Sequence, residues 1–145
     1  GGDFLEERHI GKEIVILSHG IKRQMQDRAE SVGITGTQSR VLQYISEEGK
    51  HREVFQRDVE EAFQIRRSTV TQILQLMERD GLIERENVAR DARLKKLVLT
   101  VKGHEIEGIM KGQISDMEER IVKNISAKER EMLLIVLEKI RKNLE

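Results

Sequence analysis

A chain of 145 residues is long enough for one domain with a sizeable hydrophobic core. Its composition, with no Pro, 3% aromatic residues and 36% charged residues, favours long helices and argues against a β-sandwich or a barrel. The absence of Cys excludes disulfides and thiol redox sensing, and a formal net charge of zero argues against nonspecific binding to polyanions.

The N-terminal part of the chain predicts two helices. Apolar residues recur every three or four positions from Phe4 to about Ala29, which predicts a long first helix. Its apolar surface is wider than one packed face requires, and this indicates a helix that also contacts a second chain, with a plain core helix as the alternative. A second helix is expected from Thr35, which forms a capping box with Gln38, to Gly49.

Two short helices joined by a tight turn are predicted next. The third helix runs from about Gln56 to Gln64 without a Ser, Thr, Asp or Asn cap, and a turn at Gln64 to Arg67 precedes the fourth. The fourth helix has one apolar stripe, made of Val70, Ile73, Leu74 and Met77. Its opposite face carries groups that can hydrogen-bond base edges, namely Ser68, Gln72, Gln75 and Arg79, with Thr69 and Thr71 on the flanks. Gly81 is expected to end this helix in a left-handed conformation.

A β-hairpin with a long polar tip is predicted after Gly81. Its expected strands are Ile83 to Asn87 and Lys95 or Lys96 to Leu99, and its expected tip is the seven-residue segment Val88 to Leu94. The second half of the hairpin carries four basic residues, Arg90, Arg93, Lys95 and Lys96, against the single acidic residue Asp91. This density suits phosphate contact, and an ordinary solvated hairpin tip is the alternative.

Two further helices complete the chain. Thr100 is expected to cap a helix that extends to about Lys123, and Ser126 and Glu129 form a capping box at the start of the last helix. The last helix has apolar residues at helical spacing that are predicted to face inward, namely Met132, Leu133, Val136, Leu137, Ile140 and Leu144.

With these motifs, nearly all of the chain resembles the MarR family (multiple antibiotic resistance regulators) of bacterial winged helix-turn-helix transcription factors. The segment DARLKKLVLTVKG matches the family's wing pattern at Asp91, Arg93, Leu97, Leu99, Thr100 and Gly103. The recognition helix and its exit match at Ser68, Thr69, Val70, Thr71, Leu76, Glu78, Gly81, Leu82 and Ile83. The chain departs from the pattern at Arg66 and Phe55, where relatives often have a Ser or Thr cap.

The resemblance implies a mainly α fold with a small β-hairpin wing, and a single MarR-like domain over residues 3–145 that leaves out Gly1 and Gly2. Residues 35–100 would be the DNA-binding part, and residues 3–30 and 101–145 the dimerisation helices. The implied function is transcription regulation, as a repressor, by a homodimer that binds a pseudo-palindromic operator in double-stranded DNA. The apolar runs are too short to cross a membrane, so we expect a cytoplasmic protein without a membrane partner.

The residues expected to contact DNA fall into two groups. The recognition helix and the residue before it supply Arg66, Arg67, Ser68, Thr69, Thr71 and Gln72. The wing supplies Arg90, Asp91, Arg93 and Lys95. By resemblance, Arg93 would enter the minor groove, Asp91 would steady Arg93 through an ion pair, and Lys95 would contact phosphate. An exposed helix face is the alternative for the first group, and exposed Arg residues are common enough to make it an even alternative for Arg90.

Effector binding is a further implication of the resemblance. Family members often hold a small amphipathic ligand between the dimerisation helices and the winged part, and His19 and Tyr44 are the candidates here for a hydrophobic or phenolic effector. Ordinary packing is the alternative for each residue. No metal, cofactor or catalytic site is expected, because the four His residues lack metal-ligand spacing and no nucleophile or phosphate-loop motif occurs. A winged-helix module that binds protein instead of DNA is the alternative function.

Overall fold

The computed structural model of the protein describes residues 8–145. The elements in this range are α1 (Ile10–Glu30), α2 (Gly36–Gly49), α3 (Gln56–Phe63), α4 (Arg67–Arg79), β1 (Ile83–Val88), β2 (Asp91–Leu99), α5 (Val101–Ile121) and α6 (Ala127–Asn143). The predicted mainly helical class with one small antiparallel hairpin is confirmed. Within residues 8–145, no helix combines the length and the apolarity that a membrane crossing requires.

The chain divides into two compact units, the first ending at Lys111 and the second comprising Gly112–Glu145. The core of the first unit is formed mainly by α2, α4 and the hairpin. Its fully buried large side chains are Val41, Leu42, Val54, Val59, Val70, Leu74, Met77, Leu82 and Ile83. The predicted apolar stripe of α4 is therefore confirmed, with Ile73 packed against the same core at partial burial.

Local hydrogen bonds explain where several helices begin and end. Thr35 and Gln38 form the predicted capping box at α2, and Ser126 and Glu129 form the one at α6. At the start of α3, the Asp58 carboxylate accepts a hydrogen bond from the Phe55 backbone N–H at 2.8 Å, which compensates for the absent N-cap side chain.

The start of the first helix differs from its prediction. The predicted start at Phe4 lies outside the described residues, as do residues 3–7 of the predicted domain. His9 has an extended backbone (φ −107°, ψ 132°), so α1 begins at Ile10 and the prediction of helix at residues 8 and 9 is wrong. Arg8 forms an ion pair with Glu13 across this start, with 3.0 Å between Nε and Oε1, and an acidic residue in the first turn suits the helix dipole.

The hairpin has a much shorter tip than predicted. Only residues 89 and 90 form the turn, because β2 begins at Asp91, and the prediction of a seven-residue tip is wrong. Val88 pairs with Asp91 while Asn87 pairs with Lys95, so the second strand bulges between these two pairs. Strand pairing satisfies backbone groups whatever the side-chain polarity, and a charged segment can therefore form a strand at an exposed hairpin.

Thr100 joins the exit of α4 to the start of α5. Its hydroxyl donates a hydrogen bond to the carbonyl of Gly81 at 2.5 Å and accepts one from the N–H of Gly103 at 3.0 Å, which confirms the predicted cap. Gly81 has a φ of +74°, as expected for the residue that ends α4.

The apolar residues of α6 are not buried. Met132, Leu133 and Leu144 have exposed fractions of 60%, 51% and 82%, and no residue of this helix is buried in the single chain. The prediction that they face inward is therefore wrong within a single chain. An apolar stripe indicates that one face of a helix is buried against a partner, but it does not indicate whether that partner belongs to the same chain or to a second chain. Large apolar residues of α1 are exposed as well, including Ile10 at 70% and Leu17 at 63%.

Candidate nucleic-acid interface

The outward face of α4 presents the polar side chains that the sequence predicted. Arg67, Ser68 and Gln72 are exposed, and Thr69 and Thr71 are half-buried at the flanks. The helix begins without a side-chain cap, since Arg66 at the N-cap makes no capping hydrogen bond. The first backbone N–H groups of α4 thus lie beside exposed cationic residues, a combination that attracts anions.

Gln56 on α3 connects the two helices of the helix-turn-helix arrangement. Its Nε2 donates a hydrogen bond to Thr71 Oγ1 at 2.8 Å, and the Thr71 hydroxyl in turn donates to the Arg67 carbonyl at 2.9 Å. The hydroxyl of Thr71 is therefore occupied within the protein, and this residue helps to hold α4 against α3.

Arg85 on β1 connects the wing, which is the hairpin of β1 and β2, to both helices. Its Nε lies 2.5 Å from the Glu78 carboxylate on α4, and its Nη2 lies 3.5 Å from the Gln56 side-chain oxygen on α3. Glu78, Arg85 and Gln56 are only partly exposed, so these bonds fix the angle between recognition helix and wing better than a solvent-exposed pair would.

The wing contains the ion pair that the resemblance implied. Asp91 Oδ1 accepts hydrogen bonds from the Arg93 backbone N–H at 2.9 Å and from its Nε at 3.2 Å, while Nη2 lies 3.2 Å from Oδ2. The hydrogen bond from the Arg93 guanidinium, followed by that from its backbone, lowers the pKa of Asp91. The Arg93 side chain is nevertheless 90% exposed, so its guanidinium is oriented but accessible to a ligand.

Two other basic residues of the wing are engaged by neighbouring groups. The Arg90 guanidinium lies 2.6 Å from the Glu53 carboxylate and 5.7 Å from the centre of the Phe55 ring, so it ties the wing tip to the segment before α3. Lys95 Nζ donates a hydrogen bond to the Asn87 side-chain oxygen on β1. Both side chains are exposed and can still reach a polyanion.

A cleft of about 440 Å³ lies between α3, the start of α4 and the wing. The residues that line this basic cleft include Arg57, Arg67, Arg85, Arg93 and Lys95, with Glu60 as the one acidic residue among its lining residues. The cleft brings together three of the predicted DNA-contacting residues from two distant segments of the sequence. Arg57 was missed, because a single exposed Arg in the first turn of a short helix carries no signal of its own.

The two effector candidates do not both line the cavity beside Tyr44. Tyr44 is half-buried, its hydroxyl accepts a hydrogen bond from Arg52 at 3.1 Å, and its ring meets Phe63 edge-on at 5.7 Å. Burial is the main reason that the pKa of Tyr44 is raised. The cavity beside it is lined by Arg40, Gln43, Tyr44, Glu47, Glu48 and Phe63. His19 is an exposed residue of α1 and does not line that cavity.

Within the described range, no group of three His, Cys, Asp or Glu residues is arranged to hold a metal ion.

Comparisons with known proteins agree on one family. The model of the MarR family matches residues 32–94. An uncharacterized HTH-type transcriptional regulator of Bacillus subtilis, YdgJ, is 33% identical over 93 residues, which are 63% of this chain and 56% of that protein. The match therefore spans little more than half the length of that regulator.

Solved structures match over a larger share of the chain. The transcription regulator MarR from Oenococcus oeni is 30% identical with a TM-score of 0.73, and the match covers 92% of this chain and 99% of that one. MepR from Staphylococcus aureus, a transcription regulator of the multidrug efflux pump MepA, is 26% identical with a TM-score of 0.79, and the match covers 95% of this chain and 100% of MepR. The MepR chain in a crystal structure of the S. aureus MepR–DNA complex is 26% identical with a TM-score of 0.81, and the match covers 94% of this chain and 97% of that one.

Proposed function

Since the chain belongs to the MarR family of transcription regulators, which are not enzymes, we propose that it represses transcription by binding a pseudo-palindromic operator as a homodimer. The observation that carries this proposal is the basic cleft, which joins the recognition helix to the wing on one surface. A cluster of cationic side chains around an exposed polar helix face is the arrangement that phosphate contact and base readout require. The crystallised MepR–DNA complex supports the same use of the fold.

The recognition helix α4 is proposed to read bases in the major groove. Gln72 is exposed near the middle of the outward face, where its amide can pair with N6 and N7 of adenine. Ser68 can hydrogen-bond bases, whereas Thr71 offers mainly its methyl group because its hydroxyl is occupied. The remaining residues of this group, Arg66, Arg67 and Thr69, are proposed to contact phosphate near the start of the helix.

The wing is proposed to contact the minor groove and the adjacent backbone. Arg93 is the residue that enters the groove, because its guanidinium is exposed and is oriented by Asp91. Lys95 is proposed to neutralise phosphate. Arg57 is proposed to do the same, because both side chains line the basic cleft. Arg90 supports the tip from its position against Glu53.

A second copy of the chain is proposed to cover the exposed apolar residues of the terminal helices. Both α1 and α6 expose large apolar side chains, and a symmetric dimer would remove them from water. In this arrangement residues 35–100 bind DNA while residues 3–30 and 101–145 form the dimer within a single MarR-like domain. A two-fold dimer presents its recognition helices about 34 Å apart, which sets the spacing of the two half-sites. We place this regulator in the cytoplasm, where its DNA target lies.

The test is DNA binding as a function of salt, with an operator selected from a random duplex pool and a scrambled duplex of the same composition. Gln72→Ala should lose roughly 1–3 kcal/mol on the operator, mainly at one base position per half-site, because one bidentate base contact is removed. Arg93→Ala should weaken both duplexes and flatten the salt slope by about 2 for a dimer, since each copy loses one charge that neutralises phosphate.

Two further variants separate charge from geometry. Arg93→Lys should restore the salt slope but only part of the affinity, because a guanidinium is more easily stripped of water than an ammonium group. Lys123→Ala removes an equal charge from an exposed position outside the basic cleft and should change neither quantity. An unchanged slope and affinity for Arg93→Ala would exclude the wing from the interface. Binding that is indifferent to salt on every duplex would instead favour a module that binds protein.

A small effector that releases the operator is also proposed, as a hydrophobic anion or a phenol near Tyr44 and His19. Such a ligand weakens DNA binding only by its differential affinity for the two states of the dimer, typically about 1–3 kcal/mol. A screen of these compounds should therefore reveal at least one that shifts both thermal stability and operator affinity. A screen in which neither quantity moves would identify a constitutive DNA binder.

A further inference from the structure

The segment of residues 53–56, which we call the platform, holds the wing from the side of α3. The Val54 carbonyl accepts a hydrogen bond from the backbone N–H of Leu97 on β2 at 2.7 Å. Both residues are buried, so this bond lies in a low-dielectric environment, where a hydrogen bond is stronger than in water. The Glu53 carboxylate pairs with Arg90 at the wing tip, with 2.6 Å between Oε2 and Nη1. The platform is therefore attached to the wing at a buried strand and at its tip.

Gln56 is a platform residue that also contacts the recognition helix. Its Nε2 donates a hydrogen bond to the Thr71 hydroxyl at 2.8 Å, and its Oε1 lies 3.5 Å from Nη2 of Arg85 on β1. The second contact is long for a hydrogen bond, but the Arg85 guanidinium is itself oriented by Glu78 on α4, which lies 2.5 Å from its Nε. One amide side chain thus touches α4 and the wing at once.

These contacts hold α4 at two points on the same face. Thr71 and Glu78 are seven residues apart, which is two helical turns or about 10.5 Å along the helix axis. Two attachments at this separation oppose tilting of the helix, whereas one attachment would allow it to pivot. The attachment through Gln56 is next to Gln72, at the end of α4 that is proposed to enter the major groove. Loss of Gln56 would remove this attachment and leave the one at Glu78.

We propose that Gln56 is a positioning residue that sets the recognition helix and the wing at the spacing of the two grooves, without reading a base itself. This inference rests on the proposed function, since it concerns DNA that α4 and Arg93 bind together. A wing held at the right distance from α4 can contact the minor groove without further ordering, whereas a loosely held wing loses conformational freedom on binding. The contribution of Arg93 to DNA affinity should therefore depend on residue 56.

The test is a double-mutant cycle on operator binding, with Gln56→Met and Arg93→Ala alone and combined. Methionine has nearly the length of glutamine but makes neither hydrogen bond, so the contacts are removed with little change in volume. Arg93→Ala should weaken binding by the wild type roughly tenfold. In the Gln56→Met background the same substitution should have a cost at least about twofold smaller, because the wing no longer contributes fully.

Gln43→Met is the matched control for this cycle. It makes the same chemical change at an exposed position of α2 that does not line the basic cleft. In this background the cost of Arg93→Ala should equal its cost in the wild type.

A second cycle tests the contact between Gln56 and Thr71 in the protein without DNA. Thr71→Val removes the hydroxyl that accepts the hydrogen bond from Gln56 and keeps a methyl group for the base. Urea unfolding of Thr71→Val, Gln56→Met and the double variant should show a combined loss smaller than the sum of the single losses, because both substitutions remove the same bond. Thr71→Val also takes the place of Gln56→Met in the DNA cycle if that variant does not fold.

Several outcomes would overturn the positioning role. Equal costs of Arg93→Ala in the wild type and in Gln56→Met would do so, because a direct contact of Gln56 with DNA, or a general loss of stability, leaves the two substitutions additive. Additive losses in urea would show that Gln56 and Thr71 do not support each other, and the same coupling with Gln43→Met would remove the assignment to Gln56. A wild type that binds no duplex would overturn the proposed function and this inference together, whereas additive costs in a protein that binds its operator would overturn the inference alone.

Discussion

Gly103 in the first turn of α5 lies closer to the backbone of Leu82 than a residue with a Cβ atom could. A Cβ atom at this position would lie 2.1 Å from the Leu82 carbonyl oxygen and 3.1 Å from its carbonyl carbon. That oxygen accepts a hydrogen bond from the Thr100 N–H at 3.1 Å, so the backbone cannot retreat without weakening the junction between the exit of α4 and α5. Gly103→Ala should therefore destabilise the protein.

The expected destabilisation by Gly103→Ala follows from three contributions to the free energy of unfolding. Ala is about 1 kcal/mol better than Gly within a helix, which favours the variant. Forcing an extra methyl group against packed backbone costs about 1–3 kcal/mol and occasionally more, and weakening the Thr100 hydrogen bond costs about 1 kcal/mol. A clash with backbone is at the upper end of this range, so we expect a net loss of about 2–3 kcal/mol and a melting temperature lower by roughly 5–10 °C.

Gly108→Ala is the matched control, because it makes the same chemical change on the same helix. A Cβ at Gly108 would meet nothing within 4 Å, so this variant should gain about 0.5–1 kcal/mol from helix propensity alone. The measurement is urea unfolding followed by circular dichroism at one fixed protein concentration, since a dimer's stability depends on concentration. Equal stability of Gly103→Ala and the wild type would refute the close approach of α5 to Leu82.

Three further predictions concern the wing, its attachment and the assembly. Because the pKa of Asp91 is lower in the folded state than its unfolded value of about 3.9, its ion pair with Arg93 stabilises the protein above that value and is lost as pH falls through the folded pKa. An NMR titration should find the Asp91 midpoint below the ordinary value and raised part of the way back in Arg93→Ala, because the backbone N–H of residue 93 still donates to the carboxylate in this variant. Arg85→Met should cost about 1 kcal/mol in urea unfolding, because Glu78 loses a partly buried partner, and a cost of zero would show that this pair does not hold the wing. Deleting Ser126–Glu145 should unfold or aggregate the protein in light scattering, and a soluble folded monomer that still binds DNA tightly would exclude the shared dimer core.

Elements that depend on local sequence were predictable. The stripe containing Val70, Leu74 and Met77 is buried as its helical period indicated, because one core covers one face of a helix. The capping boxes at Thr35 and Ser126 were predictable for a similar reason, since the two partners of each box lie three residues apart.

Contacts between distant segments were not predictable from residue patterns. Arg90 meets Glu53 across 37 positions, and Gln56 meets Thr71 across 15 positions. The spacing of polar residues along the chain does not indicate which distant residue each side chain contacts, because a polar side chain can adopt many rotamers that are equally well solvated. The short hairpin tip was missed for a related reason, since strand pairing depends on the opposite strand and the polar segment before Lys95 resembled a loop. The pair of Asp91 and Arg93 was expected only through the family resemblance.

The consecutive apolar residues of α6 constrain how a second chain would cover this helix in the proposed dimer. Residues 132–137 read MLLIVL, and at about 100° per residue six consecutive positions point to every side of the helix. The exposed fractions of Leu134, Ile135 and Val136 are 68%, 47% and 39%, so the need for burial is not confined to one stripe. A flat partner surface covers only one side of a helix and would leave the other residues in water. If the proposed dimer forms, α6 should be surrounded on several sides, as in an interlocked bundle, because only that arrangement removes most of these side chains from water at once.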